Sequence, residues 1–187
     1  MKKGWILVAC VLLMGSSLGF AQAAKGSEKQ TATQVLDHGI SGVEGEFVPA
    51  ADAMPEGKYS FAPTNGEFKG VRTFAQQVKH VAAVNYMIGG AILGEKPPVE
   101  LGGENGPDTV ASKADILKFL KDSFAYMHKA VASVNEGNMV DPIKSPFGEG
   151  MTTRLGMSSL AAAHCFDHYG QMVEYLRMNG IIPPASR

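Results

Sequence analysis

The chain is 187 residues long, 45% hydrophobic and 19% charged, with 17 Lys plus Arg against 18 Asp plus Glu. That is the size of one domain able to enclose a real core. So even a balance of charge offers no basic field to a nucleic-acid backbone or an anionic surface, and nucleic acid is not among the expected partners.

Met1-Lys2-Lys3, the apolar run from Trp5 to Leu13, the small residues Gly15-Ser16-Ser17 and then Ala21-Gln22-Ala23 follow in the order of a secretory signal peptide, with cleavage after Ala23. The apolar run is far shorter than the ~20 residues a spanning helix needs, so no stable membrane anchor is expected. Leu7-Val8-Ala9-Cys10 has the form of a lipoprotein-processing box, but cleavage there would leave an apolar stretch after the cysteine, and lipidation at Cys10 is the weaker reading. The expected location is periplasmic or secreted. Cys165 is then the cysteine that remains, so stability must come from packing and not from an internal disulfide.

Residues 24–33 are small and polar and read as a flexible N-terminal arm. From about Thr33, Val35, Leu36, Ile40, Val43 and Phe47 recur at helical spacing, although Gly39, Gly42 and Gly45 weaken that helix. Pro49, Pro55, Gly57 and Pro63 then argue against a long regular element, and residues 58–63 read as an extended strap whose aromatics pack on the body. The next helix is predicted over Val71–Leu93, with Phe74, Val78, Val81, Asn85, Ile88 and Ile92 as its inward stripe. Residues 94–110, rich in Gly and Pro, form a long loop suited to lining a site.

Ser112-Lys113-Ala114-Asp115 has the form of a capping box, and Ile116, Leu120, Ser123, Phe124, Met127, Val131 and Val134 follow at three- and four-residue spacing. A second loop covers 137–150. The last helix starts near Thr153, turns Met157, Leu160, Ala161, His164, His168, Met172 and Tyr175 inward, and ends at Asn179-Gly180 before Pro183-Pro184. Four helices without a convincing strand or repeat predict an all-α fold, an antiparallel four-helix bundle with long connecting loops over residues 34–184.

His164 and His168 stand four residues apart, so both rings project from one helix face and can share a metal ion. That face is predicted to point inward, where an imidazole without partners costs free energy. His80, mid-helix on another long segment and close to Gln76, Gln77 and Asn85, is the best third ligand. An HxxxH pair also arises by chance, and a buried histidine is often just hydrogen-bonded, so the spacing alone leaves both readings open. His128 falls at the edge of its helix and His38 on the glycine-weakened first one, which makes each a poorer ligand. Asp167 reads as a solvated charge, Gln171 as a polar edge position or a partner of metal-bound water, and Cys165 as a buried, inert thiol. No phosphate loop, GxGxxG turn or HExxH protease helix is present.

Three stretches resemble the DinB-like family of bacterial four-helix bundles: Met54-Pro55-Glu56-Gly57-Lys58-Tyr59-Ser60-Phe61-Ala62-Pro63 before the second helix, Gln77-Val78-Lys79-His80-Val81-Ala82 within it, and His164-Cys165-Phe166-Asp167-His168-Tyr169-Gly170-Gln171 followed by 175–184. The resemblance covers roughly residues 34–184. It implies a divalent metal ion, Zn, Ni or Fe, held by His80, His164 and His168. It also implies a metal-dependent enzyme acting on a small-molecule substrate, a thiol-dependent transferase or a hydrolase, and association into a homodimer. Against that, a signal peptide separates the chain from an assured supply of cytoplasmic thiol, which raises the alternative of a non-catalytic exported bundle that binds metal or a small ligand.

Overall fold

Four helices, α1 (Ala32–Ala53), α2 (Phe74–Leu93), α3 (Lys113–Ala132) and α4 (Arg154–Met178), dominate the computed structural model, which describes residues 29–187. The stretch read as a signal peptide and residues 24–28 of the expected arm lie outside the described residues. Each helix opens on a hydroxyl residue, Thr31, Thr73, Ser112 or Thr153, whose side chain accepts the N–H three positions on. Such a cap contributes about 1 kcal/mol. In α1 and α2 the box is complete, with Gln34 and Gln76 reaching back to the cap residue's own N–H. At Ser112 it is half made, because Asp115 takes the Ser112 hydroxyl (2.6 Å) instead of the backbone N–H.

The all-α bundle expected from periodicity is borne out, and the inward stripes of α2 and α3 are buried throughout. Several boundaries differ. The first helix begins at Ala32, inside the stretch read as the arm, and continues through Pro49 to Ala53. Proline normally breaks a helix by removing one hydrogen bond and crowding the carbonyl four residues back. Here Pro49 and Gly45 both lie on the exposed face, so the freed carbonyl meets water, while Phe47, Ala50, Ala51 and Met54 continue the buried stripe. Packing outweighs propensity. Leu160, expected inside, lies on the outer face of α4 and is 39% exposed.

A small sheet is present where none was expected: β1 (Pro142–Lys144) pairs antiparallel with β2 (Met151–Thr153), Ile143 opposite Thr152. Strands of three residues are too short for alternation to register in the sequence. Among the described residues no helix is long and apolar enough to cross a membrane.

Around the bundle α1 lies beside α3 and α4, and α2 beside the same two. Paired residues give the directions. Asp37 and Phe47 of α1 meet His128 and Phe124 of α3, and Gln77 and Asn85 of α2 meet Gln171 and Cys165 of α4, so both of these pairs are antiparallel. By contrast, Asn85 meets Ser123 and Glu95, just past α2, meets Lys129, so α2 and α3 run the same way. The loop 94–110 must therefore climb the full length of α2 before α3 begins, which is why it is long.

The strap over 58–63 packs its aromatics as expected, Tyr59 edge-on to Phe74 at 5.3 Å and Phe61 to Tyr175 at 5.6 Å. Its carbonyls do further work: Phe61 and Tyr59 accept the N–H groups of Phe74 and Ala75, two donors at the start of α2 that have no partner inside the helix. These contacts fix the angle at which α2 enters the bundle, and α2 carries His80 and Gln77.

Candidate metal centre

His80 lies one turn after Gln77 on α2, and His164 and His168 lie one turn apart on α4, so the antiparallel pair presents all three imidazoles to one point. Their candidate ligand atoms fall within 4.8 Å of one another, and ring centroids are 4.5 to 5.1 Å apart. The Nε2 atoms of His80 and His164 are separated by 3.2 Å. Two nitrogens bound to one tetrahedral zinc at ~2.0–2.1 Å stand about 3.3 Å apart, so this edge of the triangle already has the size a metal requires.

The outer nitrogens of two rings are engaged, which sets which nitrogen faces inward. His80 Nδ1–H donates to the Glu104 backbone carbonyl at 2.5 Å, and His168 Nδ1–H donates to the Gln77 side-chain oxygen at 2.6 Å. Gln77 in turn donates to Gln171 Oε1 (2.8 Å), and Gln171 to Asp167 Oδ2 (3.0 Å). Partners of this kind fix the tautomer and raise the basicity of a ligating histidine. His164 differs, because its Nδ1 is buried with no hydrogen-bond partner. If its Nε2 carries the proton and donates to His80, that Nδ1 is a bare buried lone pair; if Nδ1 carries it, two Nε2 lone pairs face each other. A cation between the rings relieves the second arrangement, so the residues fit a metal ion.

Protonation agrees with this. Burial above all, with the charge of the neighbouring rings adding to it, pushes His164 and His168 down to about 4. Burial also lowers His80, opposed by its bond to the Glu104 carbonyl. All three are therefore neutral donors near pH 7, the form a metal needs.

The loop 94–110 lines the site as expected. Its seat is Gly106 (φ +75°), where a Cβ would fall 2.6 Å from that of Lys79. Lys79 Nζ donates to the Pro107 carbonyl (2.9 Å), and Arg72 holds Glu104 and Asn105 at 3.3 and 3.0 Å. A cavity of about 500 Å³ opens beside the histidines between His80, Ala83, Val84, Leu101, Glu104 and Phe147. A smaller one, about 300 Å³, adds Leu160 and His164. The 137–150 loop thus contributes through Phe147.

The remaining candidates lie elsewhere. His128 bridges two carboxylates of α1, Asp37 (2.5 Å) and Glu44 (3.0 Å), and His38 is exposed on the same helix. Asp167 is an exposed carboxylate joined to His168 by hydrogen bonds through Gln171 and Gln77, and its charge partly offsets the lowering of His164 and His168. Cys165 is fully buried with its sulfur 3.4 Å from Asn85 Oδ1, and burial pushes its thiol up to about 12. Two functional positions were not legible in the sequence. The Glu104 carbonyl is backbone and carries no residue signature, its only trace being the glycines around it. Gln77 was visible as a polar residue on an apolar face, but not as the partner of His168.

A sequence model of the DinB superfamily matches residues 40–172, a span that includes all three histidines. Among solved structures the chain is similar to a conserved protein from Enterococcus faecalis, with a TM-score of 0.63 at 17% identity, covering 80% of this chain and 97% of that one. At that identity the likeness is one of fold. No curated protein matches the chain. The family match takes in α2 and α3 whole and most of α1 and α4, with the loops that line the cavity, and on that evidence the chain belongs to the DinB superfamily.

Proposed function

We propose that this protein is an exported metal-dependent enzyme that binds one divalent ion, Zn, Ni or Fe, through His80, His164 and His168 and acts on a small molecule in the adjoining cavity, by transfer to a thiol or by hydrolysis. The observation that carries this reading is the meeting of three neutral imidazoles at one point, two of them oriented from behind by Glu104 and Gln77. A divalent ion with three protein ligands keeps open positions, where it lowers the pKa of a water or thiol and polarises a carbonyl.

The chain's own residues have separable tasks. Gln77 and the Glu104 carbonyl hold two rings in register, and Val84, Leu101 and Phe147 form an apolar wall that limits water beside the histidines. Arg72, at the rim, is paired with Glu104 and so anchors the loop whose carbonyl orients His80. The alternative is a non-catalytic bundle that sequesters metal, which would call for a coordination shell closed by protein. His128 and Asp167, the side chains that could close it, are engaged elsewhere, and that favours the open, reactive site.

Elemental analysis of the protein purified from its own compartment tests this most directly. One ion per chain is expected, lost in His168→Ala with helicity retained. A metal-free protein that takes up none on titration would overturn the reading. Stoichiometric metal with no turnover across thiol and hydrolysis assays would favour sequestration. Export rests on the pattern of residues 1–23, and N-terminal sequencing of the mature protein should begin at Ala24.

A further inference from the structure

We propose that the ligand of this site is a linear amphiphile: a metal-ligating head group at the three histidines, an unbranched apolar chain laid along α2, and an anionic end held by Lys96 and Lys144. The proposal rests on the metal reading above and extends it to the class of substrate.

Beyond the cavity at His80 lies a larger one of about 630 Å³ against the C-terminal half of α2. Met87 and Leu101 line both, so the two are halves of one groove that meet at a pair of flexible apolar side chains. The α2 residues His80, Ala83 with Val84, Met87 and Ala91, and then the cap residue Gly94, succeed one another roughly once per turn and form its floor. From His80 to Gly94 that floor runs about 21 Å at 1.5 Å per residue, the length of an extended fatty acyl chain. Ala83, Ala91 and Gly94 keep it low. Pro97 and Leu101 from the climbing loop form one wall, and Ile143 and Pro146 from the β1–β2 hairpin form the other. A groove this long, narrow and apolar matches a chain better than a compact ring system.

The charges at the far end give the chain a direction. Lys96 and Lys144 line the cavity and carry no ion pair among the described residues. Arg154 spends its Nε on the Ile92 carbonyl (3.3 Å) and stands 3.9 Å from Asp141. Glu95, the carboxylate lining this cavity, is already held by Lys129 (2.9 Å) and Tyr126 (3.0 Å). Through Lys96 and Lys144 the far end thus presents unpaired positive charge at the mouth of an apolar slot, which is the complement of a carboxylate or phosphate at the end of a hydrocarbon chain.

The test uses the mature protein loaded with Co(II), whose visible absorption reports a ligand arriving at the metal. Aliphatic hydroxamic acids supply the head group, from acetohydroxamate upward in chain length, each long one both methyl-terminated and with a terminal carboxylate. All should perturb the cobalt spectrum, with affinity rising up to about fourfold per methylene while the chain remains in the groove. The carboxylate-ended long probes should bind about tenfold tighter than their methyl-ended counterparts, and Lys96→Glu with Lys144→Glu should abolish that gain. Ala91→Trp, which fills the far half, should weaken the long probes at least tenfold and leave acetohydroxamate unchanged, which also shows that the variant is folded. Affinity independent of chain length, with the spectral response intact, would overturn the groove and leave the metal reading standing. A terminal carboxylate without effect would overturn the anionic end, and a protein that binds no cobalt would overturn both readings.

Discussion

Gln77 and His168 are joined across the α2–α4 interface by a single 2.6 Å hydrogen bond, His168 Nδ1–H donating to the amide oxygen of a glutamine that is itself 1% exposed. That bond leaves the Nε2 lone pair free on the side of the ring that faces His80 and His164. Gln77 has little freedom to turn, because its amide nitrogen is spent on Gln171.

Replacing Gln77 by Leu removes the acceptor and keeps the volume. Metal affinity is expected to fall 10- to 100-fold, the usual cost of losing such a partner, with helicity unchanged. Gln77→Glu keeps an acceptor and should hold affinity near or above that of the parent. Competition titration against a chromogenic chelator measures both, and a Leu variant that binds like the parent would show that His168 orients itself without Gln77.

Gly106 ties the climbing loop to α2. An alanine there meets a positive φ and a Cβ 2.6 Å away on Lys79, so the loop must lift, at a cost of about 1–3 kcal/mol. The melting temperature should drop by several degrees. Metal affinity should fall with it, since the Glu104 carbonyl that orients His80 rides on the same segment. Gly103→Ala is the control: its added Cβ meets nothing within 4 Å, and it should behave as the parent in both thermal melts and titrations.

His128 links α3 to α1 through Asp37 and Glu44. Burial pulls its pKa down, but the bonds to the two carboxylates and their charge outweigh that, and the net shift is upward. A group whose pKa is higher folded than unfolded contributes all of its stabilisation below its unfolded value, near 6.5, and loses it as pH rises through the folded value. The gap in melting temperature between the parent and His128→Gln should therefore be widest below about pH 6.5 and shrink as the pH is raised above it. A gap that is flat with pH would mean that the histidine contributes by packing alone.

Gly42 and Gly45 lie on the exposed face of α1 with open space where a Cβ would go and without positive φ. Changing either to Ala should stabilise the protein by about 0.5–1 kcal/mol, mainly by restricting the unfolded chain. Together they should raise the melting temperature by a few degrees without altering metal affinity. Destabilisation would mean that this face of α1 is covered in solution.

The helices were legible because their stripes are regular. Val78, Val81, Ile88 and Ile92 on α2, and Ile116, Leu120, Phe124 and Met127 on α3, fall where a 3.6-residue period puts them and are all buried. His164 and His168 were legible for the same reason, as a pair on one turn of helix. The continuation of α1 past Pro49 was not, because only the burial of Phe47 and Ala50 on either side shows that packing outweighs the proline. Nor was the shared direction of α2 and α3: a long loop is compatible with either sense, and only cross-helix pairs such as Asn85 with Ser123 decide it. The partners behind the histidine rings were hidden for a different reason. A backbone carbonyl such as that of Glu104 looks like every other carbonyl until the loop is folded against α2.

His80 and His164 stand 84 positions apart in the chain, on helices that touch only once the last of the four has docked. A growing or translocating polypeptide therefore carries at most the local His164–His168 pair, and the three-histidine cluster is absent until α2 and α4 meet. Under the proposed export, metal specificity is then set less by the affinity of the finished site than by which cations are at hand where folding ends. The same chain refolded in two different media should emerge with two different ions.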